Sequence, residues 1–372
     1  MKNLLLLCCL FVVNLLHGQS SKNKQYLLVG TYTSGKSEGI YVYEFNTQNA
    51  DFKQISICKG IKNPSFFSVA PNQKYVYSVG EIEKNGVINS FRFDKKTGQL
   101  VLLNTVSSEG SNPCYVNVDK TGKYVLVGNY SSGNLSVSKI LGDGKLSSSI
   151  QKIQHTGHGT NVSRQEQAHV HSVNISPNNQ DVFVADLGID KIMNYKLDSK
   201  TGLLSPSKTP FNKIDDGAGP RHFEFHPKGK FAYLLQELTG MVTAFDYSDG
   251  QLRPKQTISA LPKDFKGDFS CADIHASPDG LFLYASVRGH NTLAIYKINQ
   301  ENGLLTYLDN QSVIGKNPRN FMIDPTGNFV LVANQETDNI TIFKRDKTTG
   351  LLTSTGKEIS VPTPVCLKMI AF

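Results

Sequence analysis

The chain has 372 residues, 39% hydrophobic and 19% charged, with 31 glycines and 15 prolines, the composition of a soluble globular protein with room for a large core. Its 20 phenylalanines and 15 tyrosines, with no tryptophan, lean toward strands. The net charge of +8 is scattered through turns such as Asp94-Lys95-Lys96-Thr97-Gly98, with no basic helix and no RNA-binding aromatic signature; this excludes nucleic acid as a partner and suits an anionic small molecule.

The chain begins with one lysine, an apolar run from Leu4 to Leu16, and then small and polar residues. The pattern predicts a secretory signal over residues 1–20, cut near Gly18 or Ser20, with an uncleaved anchor as the alternative. Cys8 and Cys9 sit inside the apolar run rather than at its end, which argues against lipid attachment. The remainder, 21–372, is expected to be one domain, exported to the periplasm or the medium, without a stable membrane span. Its cysteines, Cys58, Cys114, Cys271 and Cys366, show no CxxC or Cys/His spacing for zinc and are expected as free, mostly buried thiols.

From there a repeat runs along the chain. Equivalent segments start at Pro64, Pro113, Val170, Pro220, Cys271, Pro318 and Pro364, at spacings of 49, 57, 50, 51, 47 and 46 residues. Each reads as an apolar-alternating strand, a tight turn and a second strand. In Gly217 to Glu237 the turn is His226-Pro227-Lys228-Gly229. A third and a fourth strand follow, often joined by an Asp-x-x-Thr-Gly-x-Leu turn, as at Thr97-Gly98, Thr201-Gly202 and Thr349-Gly350. Four strands in each of seven copies define an all-β, seven-bladed propeller of antiparallel blades. The chain opens on a second strand, Tyr26 to Tyr32, and closes on a first strand, Pro364 to Phe372, so pairing the two termini in one blade closes the ring.

Comparing the copies with one another locates the chemistry. The third and fifth residues after each start remain apolar. The first and seventeenth diversify: Ser65, Cys114, His171, Arg221, Ala272, Arg319 and Val365 at one, and Glu81, Tyr130, Leu187, Glu237, Arg288 and Gln335 at seventeen, with Tyr32 as the first-blade counterpart. A hairpin folding at its turn brings Arg221 and Glu237 to one end. Converging Glu, His and Arg side chains can activate water, move a proton and hold an anionic oxygen, and they equally suit a merely wet channel end.

Strand alternation places His169 and His171 on one face, near Asp273 and His275, where a divalent metal is conceivable, but without an HExxH-like context no metal is assigned. The insertion from Gln151 to Gln167, carrying His155, His158 and Arg164, is either a surface loop or a lid over the channel. The glycine-rich Asp215 to Gly219 precedes no helix and is not a phosphate loop, and no serine has a nucleophile-elbow context.

The segments HSVNISPNN (His171 to Asn179), GAGPRHFEFHP (Gly217 to Pro227), QELTGMV (Gln236 to Val242), ADIHASPDGLFLYASVRGHNTLAIY (Ala272 to Tyr296) and NPRNFMIDPTGNFVLVANQ (Asn317 to Gln335) resemble the lactonase family of seven-bladed propellers, which includes the propeller-type 6-phosphogluconolactonases and the carboxy-muconate cyclases. The resemblance implies a cofactor-independent lactone hydrolase, here a monomer acting on a small, anionic, sugar-derived lactone. It places catalytic roles on His171, Arg221, Glu237 and Arg288. On that basis Glu237 is expected as the base on water, Arg221 and Arg288 as oxyanion holders and His171 as proton donor to the leaving alkoxide. Arg319, Gln335, His222, Asp273 and His169 are expected as substrate contacts. The alternatives are a propeller that binds carbohydrate or protein without turnover, and a muconate-type cyclase. A calcium-dependent lactonase is disfavoured, because no compact carboxylate cage is visible. Export also separates this chain from relatives whose sugar phosphate is made inside the cell.

Overall fold

Seven four-stranded antiparallel sheets are arranged as blades in the computed structural model, which describes residues 23–372. The expected secretion signal lies outside the described residues. The first blade is built from both ends of the chain: Pro364–Ala371 pairs with Lys24–Thr31, which is followed outward by Gly39–Asn46 and Phe52–Lys59. The ring closes as the repeat predicts. The innermost strands of the other six blades are Phe67–Val69, Pro113–Val118, Val170–Ile175, Pro220–Phe225, Ser270–Ala276 and Pro318–Ile323. A single 3-10 turn, Leu187–Ile189, is the only helical element among the described residues.

The third residue of each repeat is buried in every copy: Phe67, Val116, Val173, Phe223, Ile274, Phe321 and Leu367. These side chains leave the innermost strand and fill the space between neighbouring sheets, which is how a propeller divides its core among blades. The Asp-x-x-Thr-Gly turns contribute a second contact. Asp198 Oδ1 accepts from the Lys200 amide at 2.8 Å, Gly202 takes φ of 79°, and the Lys200 carbonyl accepts from Tyr124 Oη of the preceding blade at 2.7 Å. Each such turn therefore clips one blade to the next. The thiols of Cys114, Cys271 and Cys366 are free and buried, and that of Cys58 is free and half-buried.

One feature of the inner strands aims the site. Pairing with the second strand skips a residue near the start of the strand in five copies: between Pro113 and Tyr115, Val170 and Ser172, Pro220 and His222, Cys271 and Ile274, and Pro318 and Asn320. The closing strand does the same between Pro364 and Cys366. Such bulges turn the unpaired side chain out of the alternation. The residues so freed are Cys114, His171, Arg221, Ala272 with Asp273, Arg319 and Val365, which include nearly all of the diversified first positions.

Candidate active site

At one end of the channel the bulged residues meet the residues that end the second strands. Arg221 Nε donates to Glu237 Oε2 at 2.9 Å, so the hairpin from Pro220 to Glu237 does bring its two charges together. Arg288 Nη2 lies 3.2 Å from the same oxygen, and Arg164 Nη2 donates to Glu237 Oε1 at 2.6 Å. Beside them, His171 Nε2 is 3.8 Å from Glu237 Oε2. The pocket in front of this group has a volume of about 160 Å³; Arg164, His171, Glu237 and Arg288 line it with Glu81, Cys114, Tyr130 and Arg319, while Arg221 lies behind them in the throat.

Electrostatics sort these groups. Burial opposes the charge on Glu237, but Arg288, Arg221 and Arg164 outweigh it and hold the carboxyl at about 2. His171 is pushed well below the ordinary imidazole value by burial, then by Arg221, His222 and Arg319, so it is neutral at pH 7. Burial lowers Arg288 to about 10, which leaves it protonated at pH 7. Arg319 faces the Tyr32 ring at 5.4 Å, and among the described residues its guanidinium has no carboxylate within ion-pair distance. Glu81 is occupied elsewhere, accepting from Tyr32 Oη at 2.9 Å and from the Ser65 hydroxyl. Of the three arginines lining the mouth, Arg319 is thus the one without a carboxylate partner and the first to meet an incoming anion.

Below the pocket the ring of first-position side chains narrows the channel to about 10 Å³, space for a single water at most. His222 belongs to this throat, its ring 5.4 Å from that of His171. His222 Nδ1 donates to Asp273 Oδ1 at 2.7 Å, and His275 Nε2 donates to Asp273 Oδ2 at 3.0 Å. Asp273 therefore lies under the throat, removed from the mouth pocket. Burial and Arg221 together lower His222 to about 4, whereas Asp273 overcomes burial to raise His275 to about 10.

Two further expectations change with the structure. The bulge between Val170 and Ser172 breaks the alternation that would align His169 with His171, and the His171 ring meets the edge of the Tyr130 ring at 5.4 Å. His169 instead stacks on Tyr130 at 4.4 Å and hydrogen-bonds the Tyr130 carbonyl through Nδ1 at 3.0 Å, away from Asp273 and His275. No group of three or more His, Cys, Asp or Glu side chains is placed to hold a metal among the described residues. Gln335 is half-buried and does not line the mouth pocket.

Arg164 is the residue that repeat comparison left out of the site. Its insertion is pinned to the blade beside the pocket: His155 Nδ1 donates to Asp186 Oδ2 at 2.7 Å, and Gln165 Nε2 donates to Asp190 Oδ1 at 2.7 Å. The lengthened spacing of that copy was the signal available. Glu81 and Tyr130 were also outside the expected set, although both occupy the seventeenth position.

A seven-bladed propeller with an arginine-rich pocket at one channel mouth is the class that fold and geometry define. The family model described as "Lactonase, 7-bladed beta-propeller" matches residues 26–369, and the chain belongs to that family. It is 39% identical over 344 residues to a 6-phosphogluconolactonase of Bacillus subtilis, covering 92% of this chain and 97% of that protein. A 6-phosphogluconolactonase of Formosa agariphila is also 39% identical, over 93% of this chain and 99% of the relative. Among solved structures, the Pseudomonas aeruginosa periplasmic gluconolactonase superposes with a TM-score of 0.89 at 35% identity, over 94% of this chain and 99% of its own.

Proposed function

We propose that this protein hydrolyses a sugar-derived lactone, aldonolactone to aldonate, in the pocket at the channel mouth. The observation that carries the reading is the unpaired Arg319 guanidinium facing, across about 160 Å³, a neutral imidazole and a carboxylate held by three arginines. The names carried by relatives at 39% identity support it. A lactone carbonyl drawn to the arginines develops negative charge on its oxygen when water adds, and preformed cations lower the energy of that state.

The electrostatics favour a different base from the one the sequence pointed to. A carboxylate at about 2, with three guanidiniums on its lone pairs, takes a proton from water poorly. His171 is neutral, with the Glu237 carboxylate no closer than 3.8 Å. In the proposed step its ring nitrogen accepts a water proton while the water oxygen bonds to the carbonyl carbon. The bond to the ring oxygen then breaks, and the imidazolium returns the proton to that leaving oxygen. Glu237 positions the arginines and stabilises the transient imidazolium from 3.8 Å.

Titration of acid release by the purified protein, with glucono-δ-lactone and its 6-phosphate as substrates, tests this reading. Rates faster than buffer are expected for at least one, and no acceleration of either would sink it. The N-terminal segment, outside the described residues, is read as a cleaved export signal; full-length protein retained in the cytoplasm would refute export, and an intact leader on exported protein would refute cleavage.

A further inference from the structure

The mouth pocket has a neighbour. Arg288 lines it on one side and, on its other side, a groove of about 340 Å³ between the blades that begin at Ser270 and Pro318. The mouth pocket alone is smaller than the roughly 300 Å³ at which ligand sites usually begin, and the two pockets, which meet at the Arg288 side chain, together fall well within the usual range. The substrate that fills both is longer than a single small ring.

The groove's chemistry differs from that of the pocket. The half-buried Phe269 lines it, its ring packed toward the core, and the polar groups around it include the amides of Asn291 and Asn317 and the exposed carboxylates of Asp268 and Glu336. Asn317 Nδ2 donates to Glu336 Oε1 at 3.0 Å, while Asn317 Oδ1 and Arg288 Nε are buried without partners. A cluster of carboxylate and amide groups suits the hydroxyls of a sugar. Two carboxylates beside the single cation Arg288 repel phosphate, whereas the mouth sets the guanidiniums of Arg164, Arg288 and Arg319 against Glu81 and Glu237.

We infer that the groove is a subsite for an uncharged glycosyl unit attached to the lactone, so that the favoured substrate is a glycosyl-aldonolactone rather than one ending in phosphate. The inference rests on the lactone reading of the mouth, but it is measurable apart from turnover. Calorimetric titration of the full chain with cellobionate, gluconate and 6-phosphogluconate reads the groove directly. Cellobionate is expected to bind about tenfold tighter than gluconate, the equivalent of one good contact set. The exposed positions allow two independent variants that leave the core intact, Glu336→Lys and Asp268→Lys. Each is expected to remove the cellobionate advantage and to strengthen 6-phosphogluconate. Equal binding of cellobionate and gluconate by the unmodified protein overturns the inference, as does an advantage that both lysine variants retain. If the advantage is present and lost in the variants while no lactone is hydrolysed, the groove stands and the hydrolase reading fails. Turnover with no dependence on the groove has the opposite meaning.

Discussion

Two buried carboxylates share this channel, and they are handled differently. Glu237 and Asp273 are both almost sealed from solvent, and both are held ionised against the cost of burial. Asp273 is saturated: His222, His275, Asn320 and the amides of Ile274 and Phe321 all donate to it. No donor is left for a ligand. Glu237 is held by the buried Arg221 and by two guanidiniums that border an open pocket, Arg164 and Arg288, which can turn part of their forks toward a bound anion without leaving the carboxylate alone. A carboxylate satisfied by fixed neighbours fastens blades together, while one satisfied by redirectable cations keeps a site charged and ready.

The largest effect expected from this contrast falls on the mouth. His171→Gln removes the proposed base and keeps the volume and a polar tip, so kcat/KM should fall by about a thousandfold, within the span general acid-base groups supply. Thermal melting should change little. A near-normal rate would remove His171 from the chemistry and return the base's role to Glu237. Beneath the throat the pattern should invert. Asp273→Asn strands the imidazolium of His275 with only Glu224, 3.5 Å away, and should cost about 3 kcal/mol of stability, the scale of a broken buried ion pair. Its kcat/KM should stay near that of the unmodified protein. A variant of unchanged stability and lost activity would mean that the throat transmits what happens below it.

How far the chain could be read before folding depends on which physical signal each residue carried. The blades were legible because seven copies keep their third residue apolar, and packing between sheets demands this at every blade. Arg221 and Glu237 were legible because a hairpin of known length fixes the end at which both fall. His169 and Asp273 were misplaced because a bulge adds a residue without any signature in composition, and one skipped pairing changes the side a residue faces. Arg164 was missed for a different reason. Its contact with Glu237 spans 73 residues, and an insertion has no counterpart in the other copies to compare it with.

Arg164 also supplies a milder way to test the comparison. Its side chain is partly exposed, unlike the other two partners of Glu237, so solvent screens much of its attraction. Arg164→Ala should weaken anionic substrate by about 1 kcal/mol, seen as a rise in KM with kcat largely kept. A collapse of kcat instead would show that the insertion orders the reacting groups.

The smallest and most specific effect is on pH dependence. The free protein needs His171 neutral, so kcat/KM should hold its plateau below the ordinary imidazole value of about 6.5 and decline only in stronger acid. The groups facing His171 are Arg221, His222, Arg319, Glu237 and Cys114, and three of these act through positive charge or its approach. Replacing Arg319 with glutamine removes a like charge from the imidazolium, which favours the protonated form and must move the acid limb upward. A bound anionic lactone does the same by neutralisation, so the limb of kcat should lie above that of kcat/KM. Asp273→Asn is expected to leave the position of this limb unchanged, because the groups that hold His171 neutral belong to the mouth and throat. A limb unmoved by Arg319→Gln but moved by Asp273→Asn would place the titrating group under the throat and reverse the roles of the two carboxylates.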